Sequence, residues 1–112
     1  MIVINSKEVK PDDRPGDALL KTLFPKDIIQ GGKVMFGTVV IPPKARVPMQ
    51  GQGSHEQDEY SYIIRGTIQT GSGGKEYTVS AGEATLIPAG EEHWAYNAGD
   101  EDCEIVWMLV ER

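Results

Sequence analysis

Short runs of apolar and β-branched residues recur along the chain, separated by Gly, Pro, Asn and Asp, a pattern typical of an all-β protein. The runs that we interpret as strands are residues 2–4, 19–24, 33–41, 59–65, 67–70, 77–79, 84–87 and 104–110. Within residues 18–24 the apolar positions also come near a helical spacing, so a strand and one turn of helix both remain open there.

The residues between these runs are suited to turns. The segment 71–74, Gly-Ser-Gly-Gly, can adopt the positive φ angles of a hairpin, and Pro42 and Pro43 remove two backbone donors just after a predicted strand. Segments 80–82 and 97–100 have turn composition as well. Eight short strands in 112 residues predict a sandwich, a Greek-key barrel or a jelly roll, because these architectures protect strand edges. We expect one domain spanning residues 1–112, since no repeat or linker interrupts the pattern.

The net charge of the chain excludes some classes of binding partner. The formal net charge is −6 and the isoelectric point is near 4.8, which argues against binding to nucleic acid or to an anionic membrane surface. No segment has the length of a membrane span or the pattern of a signal peptide, so we expect a cytoplasmic protein whose partner is a small molecule. The single cysteine, Cys103, is predicted to be a buried strand residue.

The stretch 53–66, GSHEQDEYSYIIRG, contains two good metal ligands, His55 and Glu59. If the segment is extended throughout, His55, Gln57 and Glu59 lie on one face of the strand. A buried carboxylate is costly without a partner, and a metal ion is one such partner. A second stretch, 82–97, places His93 just beyond a tight turn, which would hold its side chain in position.

These two stretches resemble the paired motifs of the cupin superfamily. In the second, Gly82, Pro88, Gly90, His93 and Asn97 have the spacing of the family pattern. The first matches at His55, Glu59 and Gly66, but Gly53 stands where the pattern usually has a further histidine.

The resemblance implies an all-β fold, a double-stranded β-helix or jelly-roll barrel. It also implies one divalent metal ion, Fe, Mn, Ni, Co or Zn, held by His55, Glu59 and His93. Two alternatives concern this site. In a degenerate cupin, Glu59 would instead pair with Arg46 or Arg65, and His93 would only form hydrogen bonds in the core. In a metal-binding cupin, Gln57 or Gln52 could supply a weak ligand in place of the missing histidine.

Four aromatic residues near the motifs could stack on a ligand, although packing or interface roles are commoner for such side chains. They are Tyr60, Tyr62, Trp94 and Tyr96. Asn97 is expected to order its own turn.

Two functions from different classes fit this sequence. The first is a metal-dependent enzyme acting on a small polar metabolite, of isomerase, lyase, decarboxylase or dioxygenase type. The second is a non-catalytic small-molecule-binding or regulatory cupin with a degenerate metal site. By analogy with cupins of this size, we also expect a homodimer formed through sheet faces and exchanged N-terminal strands, with residues 1–4 as the exchanged strand.

Overall fold

The computed structural model describes residues 1–112 and contains nine β-strands and two short 3₁₀ helices. The strands are β1 (Leu19–Phe24), β2 (Val34–Ile41), β3 (Arg46–Val47), β4 (Asp58–Arg65), β5 (Thr67–Ser72), β6 (Lys75–Ser80), β7 (Ala84–Ile87), β8 (His93–Tyr96) and β9 (Cys103–Val110). The 3₁₀ helices are Ser6–Glu8 and Lys26–Ile28. The chain has no helix that is long and apolar enough to cross a membrane.

The strands form two antiparallel sheets. One sheet has the order β1-β2-β9-β4-β7 and the other has the order β3-β8-β5-β6. Strands that are neighbours within a sheet are mostly distant in sequence, as expected when a chain alternates between two facing sheets. This architecture confirms the predicted all-β jelly-roll barrel.

The core lies between the sheets because inward and outward side chains alternate along the strands. On β9 the buried residues are Cys103, Ile105 and Trp107, and Ile63 of β4 lies directly opposite Ile105. The second sheet contributes Ile68 and Val79 to the same cluster. Cys103 is thus buried on a strand, as predicted.

The predicted hairpin joins β5 to β6. Gly73 and Gly74 form its two-residue turn with φ angles of 59° and 82°. Positive φ at both central residues is the requirement of a type I′ turn, whose twist matches that of the paired strands. As predicted, β2 ends at Ile41, directly before the two prolines.

The predicted strand at residues 19–24 is confirmed, whereas residues 2–4 and two strands missed by the prediction differ from it. Residues 2–4 are not in a strand; they precede a 3₁₀ turn capped by Asn5. The N-terminal segment instead contacts β1 further along the chain, where the backbone N–H of Asp12 donates to the carbonyl oxygen of Leu20. Residues 19–24 form a strand rather than a helical turn. Two strands were missed, β3 and β8; both are short, and their polar or aromatic residues give no clear alternation.

Candidate metal centre

Backbone hydrogen bonds bring the two motifs together at one end of the barrel. Gly53 and His93 form an isolated β-bridge in which each N–H donates to the other's carbonyl oxygen at 2.9 Å. The N–H of Gly90, in the turn before β8, donates to the carbonyl of His55 at 2.7 Å. Residues separated by about forty positions in sequence are thereby fixed side by side.

Asp58, which the sequence analysis did not single out, reinforces this junction. Its carboxylate accepts a hydrogen bond from the N–H of Ala89 at 2.9 Å and one from Nε of Arg112 at 3.1 Å. The bond from Ala89, aided by the Arg112 guanidinium, holds the pKa of Asp58 below its usual range. Asp58 therefore ties the first residue of β4 to the turn that precedes His93.

His55, Glu59 and His93 converge at this junction. Nε2 of His55 lies 3.7 Å from Oε1 of Glu59, and Nε2 of His93 lies 4.0 Å from Oε2 of the same carboxylate. The three donor atoms lie within 4.8 Å of one another, and all three residues are partly buried. This group could hold a metal ion.

Hydrogen bonds define which nitrogen of each imidazole faces the carboxylate. Nδ1 of His55 contacts the carbonyl oxygen of Gln57, and Nδ1 of His93 contacts that of Glu91, both at 2.9 Å. A carbonyl oxygen only accepts, so each Nδ1 carries a proton and, in the neutral ring, each Nε2 presents a lone pair.

The group therefore directs two nitrogen lone pairs and a carboxylate at one another with no donor among them. Nε2 of His55 is buried and has no hydrogen-bond partner. Donors around one ion at bond lengths of about 2.0–2.2 Å would lie roughly 3.0–3.5 Å apart, slightly closer than observed. Small rotations of the side chains would close this difference, so the donor set fits a divalent cation.

The two arginines considered as alternative partners of Glu59 lie elsewhere. Arg46 donates to the carbonyl oxygen of Pro48 at 2.8 Å and lies over the ring of Trp94. Arg65 pairs with Asp102 at 3.5 Å and with Glu104 at 3.8 Å. The charge of Glu59 is consequently not neutralised by an arginine.

The predicted common face of His55, Gln57 and Glu59 is wrong for Gln57. A bend at residues 56–57 precedes β4, and Gln57 turns away to donate to Oε1 of Glu111 at 3.2 Å. This hydrogen bond, followed by one from Lys26, lowers the pKa of Glu111. Gln52 is exposed and does not line the cavity beside the triad.

Gly53 does line that cavity, and a Cβ atom built on it would meet no atom within 4 Å. The position at which the family pattern usually has a histidine is therefore open space. One side of the triad is left free for water or for a ligand.

The triad opens into a cavity of about 390 Å³ between the two sheets. Apolar residues of both sheets form most of its wall, and Trp94 is the one member of the predicted aromatic set that lines it. Tyr60 and Tyr62 are exposed on the opposite face of β4. The sequence analysis missed Arg14 and Trp107, which also line the cavity.

Comparisons with known proteins agree with this fold. The sequence model of the family described as Cupin domain matches residues 37–109. The structure resembles a predicted oxalate decarboxylase from Thermotoga maritima with a TM-score of 0.84 and 25% identity, covering 99% of this chain and 100% of the other. No curated protein matches the chain in sequence.

Two further solved structures share the fold. An RmlC-like cupin from Shewanella frigidimarina has a TM-score of 0.78 and 14% identity, over 97% of this chain and 89% of the other. The polyketide cyclase RemF from Streptomyces resistomycificus has a TM-score of 0.80 and 17% identity, over 100% of this chain and 80% of the other. A predicted decarboxylase and a polyketide cyclase thus share this fold, so the fold alone does not specify a reaction.

Proposed function

The chain belongs to the cupin family, and from this premise we propose that it is a metal-dependent enzyme acting on a small polar metabolite. His55, Glu59 and His93 would hold one divalent ion, Fe, Mn, Ni, Co or Zn. The observation that carries the proposal is the convergence of two Nε2 lone pairs on one carboxylate beside a cavity.

The protein residues prepare this site in three ways. The carbonyl oxygens of Gln57 and Glu91 orient the two rings and fix their tautomers. The apolar walls of the barrel exclude water, which strengthens electrostatic interactions with a ligand. Gly53 leaves one side of the triad open.

A divalent ion in this position would act as a Lewis acid that polarises substrate oxygens. Two imidazoles and one carboxylate are the ligand set of non-haem Fe(II) sites and also suit the other ions named above. Among the reaction types open to such a site, isomerase, lyase, decarboxylase or dioxygenase, the resemblance to the Thermotoga maritima protein favours a lyase of decarboxylase type.

Metal content tests the proposal. Elemental mass spectrometry on protein purified without an affinity tag should find about one equivalent of a transition metal in the wild type. His93→Ala should lose it, whereas Tyr77→Ala, on the exposed surface of β6, should retain it. A folded wild-type protein that contains no metal and takes none up would contradict the proposal.

The vacant position at Gly53 supports a second candidate, a non-catalytic small-molecule-binding or regulatory cupin. With only three protein ligands, affinity for the ion would be lower than in a four-ligand site. The two functions differ in what Glu59 is needed for: the enzyme needs it for turnover, whereas the binding protein keeps its ligand affinity without it.

The outer face of the five-stranded sheet carries apolar side chains that suit a homodimer interface. A row of apolar side chains crosses four neighbouring strands where their residues lie opposite one another: Leu86, Tyr60, Met108 and Phe36. Tyr62 and Ile64 extend the surface, and both are about half exposed. Because an apolar sheet face of this kind is rarely left in water, we propose that it forms the interface of a homodimer.

A further inference from the structure

Three buried side-chain nitrogens in the chain have no hydrogen-bond partner: Nε of Arg14, Nε2 of His55 and Nε1 of Trp107. All three residues line the single cavity beside the triad. An unpaired buried polar atom costs free energy comparable to a lost hydrogen bond, so such atoms are rare in folded proteins. Their concentration on one cavity wall indicates a bound molecule that satisfies them.

Arg14 differs from the other arginines of the chain. Arg46, Arg65 and Arg112 each have a hydrogen bond or an ion pair. Arg14 has neither, although three aspartates lie within three positions of it in the sequence. Since a guanidinium group carries five donors and no acceptor, its missing partner is an acceptor.

The segment that carries Arg14 lines the cavity and is held at two points. Asp12 bonds to β1 through its N–H, which donates to Leu20, and through its carboxylate, which accepts from Oγ1 of Thr22 at 3.0 Å. A Cβ on Gly16 would lie 3.0 Å from the side chain of Met49, in the loop between β3 and β4. Arg14 lies between these two anchor points.

Trp107, on β9, also lines the cavity, and its indole N–H has no acceptor. The residue is only 7% exposed, and its ring packs directly against Gly37, where a Cβ would collide with it. Trp107 pairs with Ser61, two residues along β4 from Glu59, so it lies about 7 Å further along the strand than the triad. This N–H is also a donor without an acceptor.

The charges on the cavity wall favour an anion. The acidic residues that line it are Asp12 and Glu59, which contribute −2 in total, and Arg14 contributes +1. A divalent ion on the triad brings the sum to +1. A ligand that accepts from Arg14 and Trp107 and carries negative charge satisfies both donors and balances this charge, whereas the lone pair of His55 would be satisfied by the ion.

We propose that the cavity binds a small organic carboxylate whose oxygens accept hydrogen bonds from Arg14 and from Nε1 of Trp107. A guanidinium group matches a carboxylate in shape and charge, which makes Arg14 a specificity-determining residue. The inference rests on the proposed metal site in two respects: the ion makes the net charge of the cavity wall positive, and a second oxygen function of the same ligand reaches the ion.

The indole N–H signals provide the test. The chain has two tryptophans, so a ¹H–¹⁵N spectrum shows two indole signals, which Trp94→Phe assigns. Oxalate, malonate and succinate would be titrated into the full chain, with malonamide as the neutral analogue and inorganic phosphate as the competing anion. We expect a saturable shift of the Trp107 signal with at least one dicarboxylate at millimolar concentration, and malonamide binding about tenfold more weakly or worse.

Two variants separate the cavity arginine from general charge. Arg14→Gln should weaken binding of that dicarboxylate about tenfold or more, while Arg65→Gln, which removes the same charge outside the cavity, should not. Equal affinity in the two variants would overturn the inference. So would tighter binding of phosphate than of every dicarboxylate, or an unchanged Trp107 signal throughout.

Metal content measured on the same samples keeps the two proposals apart. Arg14→Gln should retain the metal of the wild type, because Arg14 does not belong to the triad. A metal-free wild type would contradict the metal site, yet the difference between Arg14→Gln and Arg65→Gln would still decide the carboxylate site.

Discussion

Nε2 of His55 lies 3.7 Å from Oε1 of Glu59, while Nδ1 of the same ring is held by the backbone carbonyl of Gln57. The lone pair of a neutral imidazole therefore faces a carboxylate, an arrangement that repels unless a cation lies between the two. The neutral side chain of a Glu59→Gln variant can donate its amide N–H to that lone pair.

We accordingly expect metal-free Glu59→Gln to be as thermally stable as the metal-free wild type but to bind divalent metal about a hundredfold more weakly or worse. Chelator competition measures the affinity, and Glu76→Gln on the exposed side of β6 is the matched control. If the protein is an enzyme, Glu59→Gln also abolishes turnover. Ligand affinity that is unchanged in the variant would favour the non-catalytic binding protein.

The open space at Gly53 can be filled. Its backbone does not have a positive φ and a Cβ meets no atom, so Gly53→His should fold and place a third imidazole beside the triad. We expect its metal affinity to rise about tenfold or more, measured by chelator competition.

Gly53→Ala is the control for that change, because it adds a Cβ without a ligand. It should leave metal affinity unchanged and alter the free energy of unfolding by less than about 1 kcal/mol. A Gly53→His protein that binds metal no better than Gly53→Ala would show that position 53 does not face the ion.

Asn97 orders the turn between β8 and β9, as its position in the second motif predicts. The side chain is fully buried; Nδ2 donates to the carbonyls of Ile41 and Glu101 at 2.8 Å, and Oδ1 accepts from the N–H of Gly99 at 2.9 Å. Asn97→Ala removes all three bonds and leaves buried backbone groups unpaired.

We expect Asn97→Ala to lower the free energy of unfolding by about 3 kcal/mol, measured by urea denaturation. Ala98→Gly, in the exposed part of the same turn, should cost less than about 1 kcal/mol. Equal losses in the two variants would mean that the hydrogen bonds of Asn97 contribute little.

Burial raises the pKa of the Cys103 thiol to about 11, because a thiolate at this site would lose its hydration. The folded chain keeps the thiol proton over a pH range in which the unfolded chain has released it. This contribution to stability is therefore fully present below pH 9 and is lost as the pH rises from 9 towards 11.

Wild-type protein should lose about 1–2 kcal/mol more unfolding free energy between pH 8 and pH 10.5 than Cys103→Ala does. Urea denaturation at both pH values gives the difference and cancels the titration of other groups. Parallel pH profiles for the two proteins would indicate that Cys103 is ionised without penalty.

The apolar outer sheet face predicts a homodimer that a buried charge would disrupt. Tyr62→Arg places a cation on that face, and we expect the dimer to dissociate at least about tenfold more readily. Sedimentation velocity distinguishes the dimer from a monomer of 12.3 kDa. Tyr77→Arg, equally exposed but on the other sheet, is the control and should remain dimeric. A wild-type monomer at micromolar concentration would contradict the interface.

Most of the strands, the hairpin and the residues of both motifs could be predicted from the amino-acid sequence alone. These features depend on local physics: alternation of apolar side chains, positive φ at Gly73 and Gly74, and the short-range spacing of His93 from its turn. Such local patterns can be recognised from the amino-acid sequence without knowledge of tertiary contacts. Residues 2–4 also have an apolar pattern, but a strand forms only where its backbone can pair with a neighbouring strand. No strand of this chain pairs with residues 2–4.

The side chains that surround the triad could not be predicted, because they are placed there by tertiary contacts. A bend at residues 56–57 turned Gln57 outward, and Asp58 joined β4 to the turn before His93. Arg14 and Trp107 meet the same cavity from segments more than ninety residues apart, so no local spacing relates them. The ligands of the candidate metal site could be predicted because they lie in compact motifs. The donors that we infer select a ligand are brought together only by strand pairing, since the Arg14 segment is bonded to β1 and Trp107 lies on β9, two strands away in the same sheet.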